Sequence, residues 1–200
     1  MIARLRAALA IGAAVLALAG CEKLFAPAKG PFNAIDVTGG GMGGPIQLAD
    51  PGGKVRTLDD FRGKVVVVVF GFTHCPDVCP TTLADMASAV RQLGDRAGEV
   101  QVLFVTVDPK RDTAELLRQY VPAFHPGFIG LRGSPSEIEA VTRAFKVYAN
   151  ERPGRTPETY TVDHSAQSFV IDRAGQLRLL IPPATRPEAI ASDLKVLLNS

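Results

Sequence analysis

The sequence predicts an α/β domain built on one mixed sheet with helices on both faces. Three observations carry this. The run Val65-Val-Val-Val-Val69 and the run Val100 to Val107 are largely apolar at consecutive positions, as strands covered on both sides are. Segments with a 3.6-residue apolar period alternate with them, which places helices in the connections. Two late apolar runs flank Asp172-Arg-Ala-Gly175 and read as a hairpin, so the sheet mixes strand directions.

Residues 1–20 stand outside that domain. Arg4 and Arg6 precede an unbroken apolar or Gly run from Ala7 to Ala19, closed by Leu18-Ala-Gly-Cys21. This is a charged start, a core of signal-peptide length and a small-residue cleavage site. The run is too short to span a bilayer, which needs about 20 residues. The pattern is similar to a bacterial lipoprotein signal, in which Cys21 is lipidated and becomes the first mature residue. Residues 21–44 are rich in Pro and Gly without periodicity, and are expected to be a flexible tether ahead of a domain at 45–200. The glycines at 39–44 are no phosphate loop, because no Gly-Lys-Ser/Thr follows them. Met42 among them is read as a loop residue rather than a thioether ligand.

The chain has 22 basic and 20 acidic residues. Two of the basic ones, Arg4 and Arg6, belong to the signal, so the mature part is balanced and has no basic stripe for nucleic acid. Of the three cysteines, Cys21 is expected to carry lipid, which leaves Cys75 and Cys79 as free thiols. Outside the cytosol such a pair persists as a disulfide unless reductant or metal protects it.

The elements follow in order. Ile46–Ala49 and Val55–Leu58 around Asp50-Pro-Gly-Gly53 read as an N-terminal β-hairpin. Lys64 to Phe72 is the central strand. Pro80 to Leu93 puts Leu83, Met86, Ala87, Val90 and Leu93 on one helical stripe, with Gly94 ending it. Val100 to Val107 is the second strand, and Thr113 to Tyr120 a helix interrupted by Pro122. Phe128 to Leu131 is a short strand. Ser134-Pro-Ser-Glu137 is a capping box, with Ile138, Val141, Phe145 and Tyr148 expected on the buried stripe of its helix. Asn150 to Glu158 reads as a polar loop. Gln167–Ile171 and Leu177–Ile181 form the late hairpin, and Thr185-Arg-Pro-Glu188 caps a last helix that buries Ile190, Leu194 and Leu197.

The chemistry lies in Phe70-Gly-Phe-Thr-His-Cys-Pro-Asp-Val-Cys-Pro80, at the junction of the central strand and the helix after it. Each cysteine precedes a proline, and a residue before proline avoids helical angles. Cys79 is therefore expected to cap the helix that Pro80 opens, with Cys75 on the loop before it. The free N–H groups of a helix start lower a thiol's pKa from about 8.5 into the range of roughly 3.5–7.5. Thiolates are soft ligands for Cu(I) or Zn(II), and also nucleophiles for disulfide exchange. The pair alone leaves both uses open, and a structural disulfide as well.

Gly71-Phe-Thr-His-Cys-Pro-Asp-Val-Cys-Pro80, Val105-Thr-Val-Asp-Pro-Lys-Arg-Asp-Thr113 and Tyr160-Thr-Val-Asp-His-Ser165 together resemble the Sco (SenC) proteins, over essentially the whole mature chain. Those proteins assist assembly of the Cu(A) centre of cytochrome c oxidase. The resemblance implies a thioredoxin-like, or peroxiredoxin-like, fold and copper bound as Cu(I) or Cu(II) by two cysteines and a histidine, here Cys75, Cys79 and His164. Cys75, Cys79 and Asp108 follow strands at the carboxyl edge of the sheet, where α/β proteins place their sites. Asp163 is a candidate to hold His164 in one tautomer, with a plain loop carboxylate as the other reading, and Asp77 and Asp108 are candidates to tune the site or face a partner. His74 and His125 are not expected to bind metal, and Arg111 with Asp112 reads as a local ion pair or cap.

The expected protein is a metallochaperone rather than an enzyme, lipid-anchored on the periplasmic side of a bacterial membrane. Its partners would be the copper-binding subunit of cytochrome c oxidase and another extracytoplasmic copper donor. The alternative is a thiol-disulfide oxidoreductase, with Cys75 and Cys79 redox-active, that reduces the Cu(A)-site cysteines of the oxidase. Against general reductase activity, three residues rather than two separate the thiols, and no proline lies between Glu158 and Ile181. Against a peroxidase, Phe72 and Pro76 occupy the positions three before each cysteine, where peroxiredoxins carry Thr. Structural zinc wants four ligands, and only three donors are visible. A copper sensor uses the same residues, so sequence does not separate it.

Overall fold

The computed structural model describes residues 30–156 and 159–200; the signal segment and Cys21 lie outside the described residues. The chain divides into two units, 1–30 and 31–200, and the fold is that of the second. Its centre is β4 (Val65–Gly71) paired in parallel with β5 (Val100–Thr106), in register from Val65 opposite Val100 to Gly71 opposite Thr106. Every residue of both strands is buried, the polar Gln101 and Thr106 of β5 included, as their largely apolar character requires.

β6 (Ile129–Leu131) extends the sheet in parallel beyond β5. On the other side β9 (Ser168–Ile171) pairs antiparallel with β4, and β10 (Leu177–Ile181) antiparallel with β9. The two-residue β1 (Ile35–Asp36) closes that edge, giving the order β1-β10-β9-β4-β5-β6. This is the mixed sheet the sequence predicts.

Alternate side chains feed two cores, as the pleat dictates. Val65, Val67 and Val69 face Leu83, Met86 and Val90 of α1 (Val78–Arg91) and Leu194 and Leu197 of α4 (Pro187–Leu198). Val66, Val68 and Phe70 face Ile138 and Val141 of α3 (Pro135–Ala144) and Phe145 behind it. Phe70, Phe145 and Phe169 meet with ring centroids 5.2–5.6 Å apart. Each such side chain contributes about 1.5–3 kcal/mol on burial. α2 (Ala114–Tyr120) connects β5 to β6, capped by Thr113.

The expected hairpin is β2 (Gln47–Ala49) with β3 (Val55–Thr57). Asp50 closes its turn by accepting from Gly52 N–H at 2.9 Å and Arg56 Nε at 2.8 Å.

Four expectations need correction. The folded part begins ahead of residue 45: β1 lies in the sheet, and the buried carboxylate of Asp193 accepts from Asn33 N–H and Ala34 N–H, each at 2.7 Å. Tyr148 is 56% exposed rather than on the α3 stripe, because that helix stops at Ala144 and Lys146 turns the chain at φ 54. The polar stretch after Tyr148 is half strand: β7 (Ala149–Arg152) pairs antiparallel with β8 (Thr161–His164) in a separate two-stranded sheet. At α4 the cap position belongs to Arg186, while the Thr185 hydroxyl donates back to the Pro182 carbonyl at 2.7 Å.

Candidate metal centre

The site is built where β4 ends. Gly71 brings the backbone close to what packs on it, since a Cβ there would stand 2.8 Å from Cys79 Sγ and 2.8 Å from the Phe104 ring. The chain then turns, with Cys75 N–H donating to the Phe72 carbonyl at 3.2 Å. Helix α1 begins at Val78 with Asp77 at its cap position. Cys79 therefore sits in the first helical turn and does not cap it. Burial of its side chain to 2% exposure outweighs the pre-proline bias. Pro80 fits there because a first-turn N–H has no helical partner to lose.

His164 arrives from the other direction, at the end of β8, where it pairs with Ala149. Ser165 fixes that end: its N–H donates to the Tyr148 carbonyl at 2.9 Å, and its hydroxyl accepts from Tyr148 N–H at 3.0 Å. The Ser165 carbonyl lies 2.9 Å from His164 Nδ1. Only Nδ1–H can satisfy a carbonyl, so the neutral ring carries its proton there and leaves Nε2 as an acceptor facing Cys79. That Nε2 lies 3.5 Å from Cys79 Sγ. The Phe72 ring meets the imidazole edge to face, 5.9 Å between centroids.

Ligand atoms of Cys75, Cys79 and His164 all lie within 4.8 Å of one another. Two donors on one ion at 2.0–2.3 Å stand at most about 4.6 Å apart, so the observed spread is close to that of a chelating set. Cys79 and the half-buried Cys75 are both free thiols. Burial pushes the Cys79 thiol well above the ordinary range; a backbone hydrogen bond at Phe72 opposes this, and the neighbouring Cys75 adds to it. The lowered pKa expected from a helix start is thus not found for Cys79, because desolvation of a side chain inside the core dominates.

Behind the loop sits a carboxylate that sequence reading misassigned. Asp112 is fully buried and accepts from Thr73 Oγ1 and Thr106 Oγ1, both at 2.6 Å, and from Thr73 N–H at 3.1 Å. It ties the cysteine loop to the end of β5. Burial raises its pKa against the pull of these donors. Arg111 does not pair with it. Its Nε donates to Asp108 Oδ2 at 2.5 Å, and its guanidinium lies over the Tyr160 ring at 3.7 Å. Tyr160 in turn donates its hydroxyl to Asp108 Oδ1 at 2.7 Å, so Asp108 and Arg111 anchor the strand that presents His164.

Asp163 makes an ion pair with Arg152 across the β7–β8 hairpin; of its two readings the loop carboxylate holds, and the tautomer-fixing contact belongs to the Ser165 carbonyl. Asp77 is exposed at the helix cap without a side-chain capping bond. His74 leans towards Thr73 Oγ1 at 3.1 Å and stays outside the donor set, and the His125 ring accepts from Gly127 N–H at 3.1 Å. Met42 lines a separate cavity with Arg62 and Leu177. Over the donors lies an open groove of about 440 Å³, bordered by Phe72, Cys75, Pro76, Val78, Tyr148 and residues 161–166. Sequence reading missed Gly71, Thr73, Thr106 and Tyr160 because only folding shows what each touches.

A sequence model of the SCO1/SenC family matches residues 37–199. An SCO2-like protein of Rickettsia prowazekii is 41% identical over 136 residues, 68% of this chain and 66% of that protein. The mitochondrial SCO2 homolog of Bos taurus is 44% identical over 154 residues, 76% of this chain and 58% of that protein. The chain thus spans less than two thirds of each. The structure of Bradyrhizobium japonicum ScoI with copper bound is 40% identical, covers 78% of this chain and 99% of its own, and superposes with a TM-score of 0.73. The thioredoxin-like arrangement is shared with it.

Proposed function

The chain belongs to the SCO1/SenC family, and from that premise we propose that it is an extracytoplasmic copper chaperone, lipid-anchored at Cys21, serving the Cu(A) site of cytochrome c oxidase. The observation that carries the reading is the convergence of Cys75, Cys79 and His164, with Nε2 held 3.5 Å from a buried sulfur. Two thiolates and a neutral imidazole are soft-to-borderline donors; they suit Cu(I) at low coordination and accept Cu(II) with an added oxygen. The copper-bound relative supports the same metal.

Copper is the cargo here. Cys75 borders the groove and Cys79 lies beneath it, so an incoming thiolate reaches the ion from the Cys75 side. It adds before a resident ligand leaves, and transfer proceeds by ligand exchange. The Cys79 thiol is neutral in the empty site, so uptake must expel its proton. Anaerobic titration should reach one copper per chain. Cys75→Ala and Cys79→Ala should abolish tight binding, and His164→Ala should lose mainly Cu(II). An unchanged Cu(II) spectrum in His164→Ala would remove the histidine from the ligand set.

One observation favours a second reading: both thiols are free, and their sulfurs lie within 4.8 Å of one another. Reduced, they have the two electrons and two protons needed to turn a client disulfide into a dithiol while closing their own. Metal-free reduced protein separates the readings. It reduces the client's Cu(A)-site disulfide if reductase activity is the function, and leaves it oxidised if copper insertion is.

A further inference from the structure

We infer that Ser165 is a positioning residue for His164: its hydroxyl takes the place of its own carbonyl in the strand ladder and so frees that carbonyl to hold the imidazole. This deepens the chaperone reading and rests on His164 being a copper ligand. The ladder carries the argument. Ala149 pairs with His164 where β7 and β8 meet the groove, so the next pair outward is Tyr148 with Ser165. Ser165 N–H donates to the Tyr148 carbonyl at 2.9 Å, which makes this a hydrogen-bonded pair. Such a pair exchanges two bonds, and the second would run from Tyr148 N–H to the Ser165 carbonyl. Here Tyr148 N–H goes instead to Ser165 Oγ at 3.0 Å. The carbonyl is left to face His164 Nδ1 at 2.9 Å.

The exchange has two consequences. A carbonyl accepts only from a protonated Nδ1, so the neutral ring presents Nε2 as an acceptor, 3.5 Å from Cys79 Sγ. A ring bonded at Nδ1 is also fixed in rotation, which orients a ligand before the metal arrives. The second consequence is an anchor. The β7–β8 sheet is separate from the six-stranded one, so the histidine strand depends on local ties. Tyr148 follows Val147, which is buried and donates its N–H to the Thr142 carbonyl of α3 at 2.8 Å. Lys146, at φ 54, makes the turn between that helix and β7. Both bonds between Ser165 and Tyr148 therefore fasten His164 to the end of a helix packed on the sheet.

Alanine at 165 keeps the N–H and the carbonyl and removes only the hydroxyl. Tyr148 N–H then turns to the carbonyl, closes the ordinary ladder pair and competes with Nδ1–H for it. Threonine keeps the hydroxyl.

The test compares the full chain with its Ser165→Ala and Ser165→Thr variants, and takes His164→Ala as the reference. Nitrogen NMR of the His164 ring in the reduced, metal-free protein, at a pH where the ring is neutral, reads the tautomer. Cu(II) titration against a chelator of known affinity reads binding. The inference expects the Nδ1–H form in the parent and in Ser165→Thr, and a mixture of both tautomers in Ser165→Ala. Cu(II) affinity should fall by about tenfold or more in Ser165→Ala and return in Ser165→Thr. A Ser165→Ala protein that keeps its tautomer, or keeps its Cu(II) affinity, would overturn the inference. So would equal losses in the two variants, since the hydroxyl would then not be the cause. Failure of the copper reading shows elsewhere: if His164→Ala binds Cu(II) as the parent does, the histidine is no ligand, and the inference falls with the ligand set.

Discussion

Gly71 sets how close the Cys79 sulfur comes to the sheet. Gly71→Ala brings a methyl to 2.8 Å from that sulfur and from the Phe104 ring, so the sulfur must move. The expected result is a folded protein with copper affinity reduced by at least about tenfold, on the order of 1.4 kcal/mol, read by competition with a chelator of known affinity. Proton linkage gives a second prediction. The Cys79 thiol is raised by burial, so it is protonated at neutral pH and uptake releases its proton. Affinity should climb with pH, by about tenfold per unit for each proton expelled, and fall on acidification. The same shift acts oppositely on the empty protein. Its folded state holds that proton more tightly than the unfolded chain, so the stability it contributes is complete below about pH 8.5 and is lost as pH rises above that. Urea titrations at several pH values check the sign. Asp112→Asn should cost about 1–3 kcal/mol of stability, because it disturbs a buried acceptor for Thr73 and Thr106.

The β7–β8 hairpin is where sequence reading fell short among the elements. All four residues of β7 are exposed, so the segment lacks the alternation that marks a half-buried strand, and it passes for a polar loop. His164 was identifiable from its motif but not as a strand residue. The start of α1 was misplaced for a different reason: Pro80 has a strong local bias, yet packing of Cys79 into the core decides. The Ser134 box, by contrast, was fully legible because capping is local, and the structure closes it with the Glu137 carboxylate 2.7 Å from Ser134 N–H. Ser134→Ala should therefore cost about 1 kcal/mol and leave copper binding unchanged. Tyr160→Phe should do the reverse. Loss of its bond to Asp108 loosens the strand that presents His164, so Cu(II) affinity falls more than Cu(I) affinity, as paired titrations of the two oxidation states would show.

For the molecule as a whole, the sheet was readable because Val65–Val69 and Val100–Val107 are apolar on both faces, which only a doubly covered strand tolerates. Strand order was not readable, since it depends on non-local pairing. β1 was hidden because two residues in a glycine-rich segment carry no periodicity. The donor set was legible as residue types and spacing, but its convergence from the two sides of the groove, with the histidine proton placed on Nδ1, is a product of the fold. The account rests on that convergence. The most direct test is X-ray absorption at the copper edge of the loaded protein, alongside His164→Ala and Cys79→Ala. The account predicts one copper with two sulfur neighbours and one imidazole nitrogen, the nitrogen absent in His164→Ala and tight binding lost in Cys79→Ala. An unaltered copper environment in His164→Ala, or full binding in Cys79→Ala, would contradict it.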